Sequence, residues 1–178
     1  HAEIRKIDTA AAKAMPAVVA ILTGADLAAD KVGGLICGWM IHSKDGSPMK
    51  AGAHPALADG KVRYVGDHVA VVVAETLAQA RDAAEKVEVD YKVLPAVVEL
   101  SSATAKGAAA IHEVAPNNVV YDWHLGDKAA TDAAFKRAKH VTKLDLVNNR
   151  LVPNAMEPRA AIGDYDAGED SYTLYTTS

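Results

Sequence analysis

The sequence predicts a mixed fold of the α/β (α+β) class. Three observations carry it. Short strand-like and helix-like stretches alternate over the first half of the chain. A capped amphipathic run sits between two strand-like runs over residues 69–95. Beyond Pro95 the texture loosens, and a second helical run and further strand-like stretches follow.

Each element has its own signal. "HAEIRKID" alternates apolar and polar residues as a strand does, with Ala2, Ile4 and, after a slip, Ile7 on the apolar side. "DTAAAKAMP" reads as a helix of about two turns, with Asp8 or Thr9 as N-cap and Pro16 as stop. "AVVAILT" is a buried strand, and Thr23 precedes the short helical stretch "GADLAAD", where Asp26 lies near the positive end of the dipole. Residues 31–55 are dense in Gly, Pro and Ser and predict a long irregular excursion.

"KVRYVGDHVAVVVAE" holds two strand-like runs split by a turn at Gly66-Asp67. The second, Val69 to Ala74, is apolar at every position and is expected to be covered on both faces. Thr76 and Gln79 stand at capping-box spacing, and Leu77, Ala80, Ala84 and Val87 are expected on one face of the helix that follows. "VEVDYKVLP" completes a strand–helix–strand crossover stopped by Pro95. Residues 99–126 read as a linker. "KAATDAAFKRAKH", capped by Asp127, reads as a helix, and "VTKLDLVNNR" and "YTLYTTS" as strands of a second unit. Because the last of these runs to the end of the chain, the second unit is expected to be truncated; because "HAEIRKID" alternates as an established strand from the first residue, the first unit is expected to lack an opening segment.

Composition narrows the function classes. The 178 residues are half hydrophobic and carry a net charge of −4, which argues against a nucleic-acid surface or a polybasic membrane patch. No run approaches the ~18 apolar residues of a membrane span. Aromatic residues make up only 5%, which weakens base or sugar stacking as a function. The single cysteine, Cys37, cannot form an internal disulfide, so a reducing cytoplasmic setting is expected.

Candidate chemistry is sparse. His1, His42, His54, His68, His112, His124 and His140 show no ligand spacing and read as exposed or loop histidines. Cys37 reads as a buried, inert thiol. No glycine run matches a dinucleotide or phosphate loop, so the glycines are assigned to turns. Glu85, Glu88 and Asp90 read as a solvated face. The unusual cluster is "NAMEPR", where Asn154, Glu157 and Arg159 lie about Pro153 and Pro158 and are expected to form a structural hydrogen-bond network.

Taken in order, "HAEIRKIDTAAAKAMPAVVAILTGADL", "KVRYVGDHVAVVVAET" with "VDYKVLPAVV", "GAAAIHEVAPNN", "NRLVPNAMEPRAAIGDYD" and "YTLYTTS" resemble the molybdenum-binding large subunit of xanthine oxidase family hydroxylases. "VPNAMEPRAA" looks most like the carbon monoxide dehydrogenase type. The resemblance implies an α/β hammerhead domain over 1–98, a linker over 99–126 and the beginning of a molybdopterin-binding domain over 127–178. It implies a parent oxidoreductase that holds molybdenum on molybdopterin cytosine dinucleotide, with iron–sulfur and FAD-containing partner subunits. The glycine-rich cofactor loops, the copper-binding cysteine loop and the general-base glutamate of the family have no counterpart here, and Cys37 matches none of them. In the family, the strand resembling "YTLYTTS" leads into a glutamine at the molybdenum centre. The resemblance therefore assigns no catalytic, cofactor-binding or metal residue to this chain, which is expected to be inactive alone. The alternative from a different class is a non-catalytic binding or assembly module with the same fold.

Overall fold

The structure is a computed structural model that describes residues 1–148, 151 and 154–177. Asn149, Arg150, Val152, Pro153 and Ser178 lie outside the described residues, and with them the end of the expected strand "VTKLDLVNNR" and the first proline of the "NAMEPR" cluster. The chain divides into His1–Gly126 and Asp127–Ser178.

The first unit is built on two small antiparallel sheets. In one, β1 (Ala2–Asp8) lies between β3 (Lys61–Val62) and β5 (Glu88–Val93). In the other, β2 (Val18–Thr23) pairs with β4 (Ala70–Ala74). Both β1 and β2 carry a bulge, at Arg5 and at Val19, where the register slips by one residue. Every strand pairing among the described residues is antiparallel, which places the chain on the α+β side of the expected class.

Local chemistry explains the helices. α1 (Ala10–Lys13) is one turn rather than two, because the chain turns away at Pro16 and Ala17, the latter at φ 64°. The Asp8 carboxylate accepts the Ala10 N–H at 3.0 Å at its start. α2 (Gly24–Ala29) begins at Thr23, whose N–H and hydroxyl both donate to the Asp26 carboxylate at 2.7 and 2.6 Å. Gly24 is required there, since a Cβ would lie 2.5 Å from the Ala58 carbonyl oxygen. α3 (Leu77–Ala84) is capped as expected, with the Gln79 N–H donating to Thr76 Oγ1 at 3.3 Å.

Three expectations need correction here. The segment β4–α3–β5 connects the two sheets instead of closing a parallel crossover, because β4 pairs with β2 and β5 with β1. On the inward face of α3 Ala83 is buried and Ala80 half-buried, as is Val87 just beyond the helix, whereas Leu77 and Ala84 are exposed. Ala83 is fully buried, whereas Leu77 in the first turn is 67% exposed. β4 is covered on one face only. Ile21 and Val72 pair on the covered face, while Val71 and Val73 on the other are each 43% exposed, alongside Val19 at 70%. An all-apolar strand need not be enclosed by its own chain; the pattern reports apolar surroundings without saying what supplies them.

The core is made of small side chains. Ala2, Ala12, Ala58, Ala83 and Ala115 are buried with Ile21 and Leu57. Where α1 meets α3, Ala12 and Ala83 are both 0% exposed, so the helices approach without a bulky side chain between them.

The stretch expected to be a linker is part of the first unit. A single 3₁₀ turn at Leu100–Ser102 leads into a compact strap pinned by Asn118. Its side chain accepts the Ile111 N–H at 3.0 Å and donates to the carbonyls of Ala103 and Ala109, each at 2.8 Å. Asn118 sits at φ 58°, a conformation Asn tolerates better than most residues. Farther along, the Lys44 and Lys50 N–H groups donate to the Asp122 and Val120 carbonyls at 2.7 and 3.0 Å.

The second unit comprises α4 (Lys128–Arg137) and a hairpin of β6 (Ala161–Asp166) and β7 (Ser171–Thr176). Asp127 Oδ1 accepts the Ala130 N–H at 2.9 Å, the expected cap. Residues 141–148 are irregular rather than a strand, whereas β6, which carries Gly163 and two aspartates, has poor strand propensity and forms through its pairing with β7. None of the described residues of this unit is buried.

Candidate functional site

In the first unit, the irregular excursion and the strap create an open depression. Its cavity of about 850 Å³ is lined by Cys37, Met40, Met49, His54, His112 and Val120, among others. Beside it lies a smaller cavity of about 190 Å³ lined by Lys61, Arg63, Tyr64 and Asp67. His54 and His112 border both. The sequence separates these two histidines by more than half a hundred residues, and only the strap brings them to one wall.

Charge is concentrated on the polar side of that wall. The Glu113 carboxylate receives Lys61 Nζ through a short ion pair and Arg63 Nη2 at 3.3 Å. Arg63 Nε also donates to the Ile111 carbonyl at 3.1 Å, and the Arg63 N–H donates to Asp67 Oδ2 at 2.9 Å. The Lys61 hydrogen bond, then the Glu113 backbone N–H and the Lys61 charge, with a further hydrogen bond from Arg63, hold the Glu113 carboxyl down to about 2. Burial pushes His112 below the ordinary imidazole value, and the Arg63 guanidinium adds to the effect. Lys61, Arg63 and Glu113 were not among the sequence candidates. Glu113 lies about fifty residues from the two cations, and no local pattern couples a strand cation to a distant loop carboxylate.

A third place is an apolar cleft of about 420 Å³ between Trp39, Ile41, Met49, Tyr121 and Trp123. Both tryptophans of the chain therefore meet there, although they are remote in sequence.

The remaining candidates are dispersed. His1 Nδ1 lies 2.9 Å from the Pro95 carbonyl, His42 forms an isolated bridge with Pro48, and the His68 carbonyl accepts the Ala58 N–H at 2.6 Å. His124 and His140 are exposed. Cys37 is exposed, contrary to expectation, because the excursion that carries it lies on the surface. Glu85, Glu88 and Asp90 are exposed, as a solvated face should be. Asn154, Glu157 and Arg159 are exposed and make no hydrogen bond or ion pair among the described residues, so the expected network is not formed there.

Among the described residues no group of three or more His, Cys, Asp or Glu side chains is placed to hold a metal ion. No helix among them is long and apolar enough to cross a membrane.

Comparison with known proteins gives these features a family setting. Residues 1–95 match the aldehyde oxidase and xanthine dehydrogenase a/b hammerhead domain, and residues 111–178 match the molybdopterin cofactor-binding domain. The second match begins inside the strap, sixteen residues before the boundary between the two units at 126/127. The chain is 35% identical to the carbon monoxide dehydrogenase large chain of Afipia carboxidovorans, over 99% of its own length and 22% of that protein's. A solved structure of Cu,Mo-CO dehydrogenase aligns over 99% of the chain and 22% of the other, with a TM-score of 0.77 and 32% identity. Quinoline 2-oxidoreductase from Pseudomonas putida 86 aligns over the same shares, with a TM-score of 0.81 and 31% identity. The chain thus spans about 22% of the length of these relatives.

Proposed function

The chain belongs to the aldehyde oxidase and xanthine dehydrogenase family, and from that premise we propose that it is the hammerhead and adjoining cofactor-domain portion of a molybdenum hydroxylase large subunit. The supporting observation is that both family matches fall on one chain in order, while 99% of the chain aligns with 22% of a carbon monoxide dehydrogenase structure. The reaction class is transfer of a water-derived oxygen to a substrate carbon. Two electrons leave through iron–sulfur and FAD-containing partner subunits. The cofactor of the whole protein is molybdopterin cytosine dinucleotide with molybdenum, and its setting is cytoplasmic.

Within this reading, the chain's own part is structural. A pterin cofactor needs converging polar groups held in a protected cleft. In the second unit none of the described residues is buried, and the Asp166 carboxylate is already engaged with the Gly168 and Glu169 N–H groups of its own turn. The described residues do not fit the cofactor by themselves, and we assign no catalytic, cofactor-binding or metal residue to positions 1–178. In this reading the hammerhead occupies 1–98, residues 99–126 join it to the cofactor-binding domain while packing with the first unit, and 127–178 is the beginning of that domain.

The test has two arms. The whole protein, purified from molybdate-grown cells, should contain stoichiometric molybdenum and show hydroxylase turnover that tungstate-grown protein lacks. The 178-residue chain, purified from the same host, should contain none. Molybdenum-free, inactive whole protein would instead support a binding or assembly module, and stoichiometric molybdenum on the short chain would overturn the structural role.

A further inference from the structure

We propose that the strap over residues 109–120 is a pH-responsive latch, held at two points, whose His112 end releases on mild acidification while its Glu113 end stays fastened.

The two points differ in chemistry. Glu113 is clamped by Lys61 of β3 and by Arg63, the residue that follows that strand. His112 is seated in a notch made by the missing side chain of Gly52. A Cβ on Gly52 would lie 2.5 Å from His112 Nδ1 and 3.2 Å from its Cε1. The imidazole thereby forms part of the partition between the two cavities described above, since both are lined by Gly52, His54 and His112. Contact with Gly52 closes one side of the ring to the hydration that a charged imidazolium requires, while its other side borders the cavities.

The charges around His112 set the direction of the response. Arg63, from the β3 side, and His54, from the facing loop, disfavour a second positive charge, whereas Asp67 and the neighbouring Glu113 favour it. Lys61 and Tyr64 line the smaller cavity with it, and Lys50 and Cys37 the larger one. Asp67 is already engaged by the Arg63 N–H, and Glu113 by two cations. Burial is the largest influence, and the net direction is downward. A base whose docked value lies below its free value stabilises the docked state above the free value, ordinarily about 6.5, and loses that contribution as pH falls through it. Glu113, held at about 2, remains ionised throughout that window. Of the two latch points, only the imidazole changes charge there.

Backbone hydrogen exchange on the full 178-residue chain reads the latch directly. Protection is compared at about pH 8 and about pH 5.5, after correction for the intrinsic pH dependence of exchange. The strap amides of Ile111, Ala115 and Asn118 are expected to lose protection severalfold at the lower pH, while the β1–β5 ladder keeps its own. His112→Gln, which retains a polar planar group but cannot titrate here, should remove the pH dependence. Glu113→Gln should loosen the strap at both pH values. Wild-type strap protection that does not change with pH would overturn the latch. So would an undiminished pH dependence in His112→Gln, because it would move the effect to His54 or elsewhere.

Discussion

Tyr165 of β6 and Tyr172 of β7 stack across the hairpin of the second unit, with ring centroids 4.6 Å apart and planes inclined by 29°. They are directly paired in the register, two residues from the chain reversal. The Tyr165 hydroxyl donates to Asp170 Oδ1 at 3.0 Å, tying the stack to the turn. Asp166 closes that turn by accepting two backbone N–H groups. An isolated two-stranded hairpin is marginal in water, so these few contacts carry much of its order.

Tyr172→Ala should therefore loosen the hairpin by about 1 kcal/mol, the usual worth of a cross-strand aromatic pair. Tyr172→Phe, which keeps the ring, should cost little. Amide exchange across β6 and β7 measures both. Equal loss of protection in the two variants would remove the stack as the cause.

The corrected face of α3 can be checked by contrasting substitutions. Leu77→Ala, at an exposed position, should change stability by no more than about 0.5 kcal/mol. Ala83→Leu, at a fully buried one, should destabilise by about 1–3 kcal/mol through overpacking. Thr76→Ala should cost about 1 kcal/mol by removing the N-cap, and Thr76→Ser should restore most of it. Urea unfolding of the four variants ranks them, and a larger loss for Leu77→Ala than for Ala83→Leu would contradict the assigned face.

Glu113 links acid stability to one ion-pair cluster. The Lys61 hydrogen bond holds its carboxyl down to about 2 in the folded chain, against an ordinary value of 4.5. Its contribution is thus complete above 4.5 and is lost as pH falls from there towards about 2. The difference in urea midpoint between wild type and Glu113→Gln should accordingly be widest above about pH 5 and shrink steadily on acidification. A difference that does not vary with pH would show that the substitution acts through packing and not through charge.

The open face of the β2–β4 sheet presents Val19, Val71 and Val73, and Leu174 and Ile162 of the hairpin are also more than half exposed. Apolar surface and unpaired strand edges of this kind promote association. The 178-residue chain should self-associate as its concentration rises, by light scattering, and Val71→Lys with Val73→Lys should reduce the effect. A monodisperse monomer at high concentration would count against an adhesive surface.

Much of the secondary structure is legible in the amino-acid order, because its signals are local. Thr76 caps α3, Asp127 caps α4, and Val69 to Ala74 contains a strand wherever it is placed, since each depends on residues within a turn of one another. The family resemblance is legible for a related reason: its motifs are contiguous stretches such as "KVRYVGDHVAVVVAET". Which strand pairs with which was not legible, because β4 and β5 flank one helix yet join different sheets through partners some fifty to ninety residues away. Which face of α3 is buried is not legible for the same reason, as Leu77 and Ala83 are both apolar and only the position of the neighbouring sheet chooses between them. β6 was hidden by its glycine and aspartates and exists through β7. The strap looked like a linker because small residues and weak periodicity describe both. Asn118 and the Lys61–Arg63–Glu113 cluster make it structure, and those bonds form only when distant backbone has already been brought together. Local sequence determined caps, strands and family; tertiary pairing decided faces, cavities and the latch, because short-range propensity cannot encode what a residue meets across the fold.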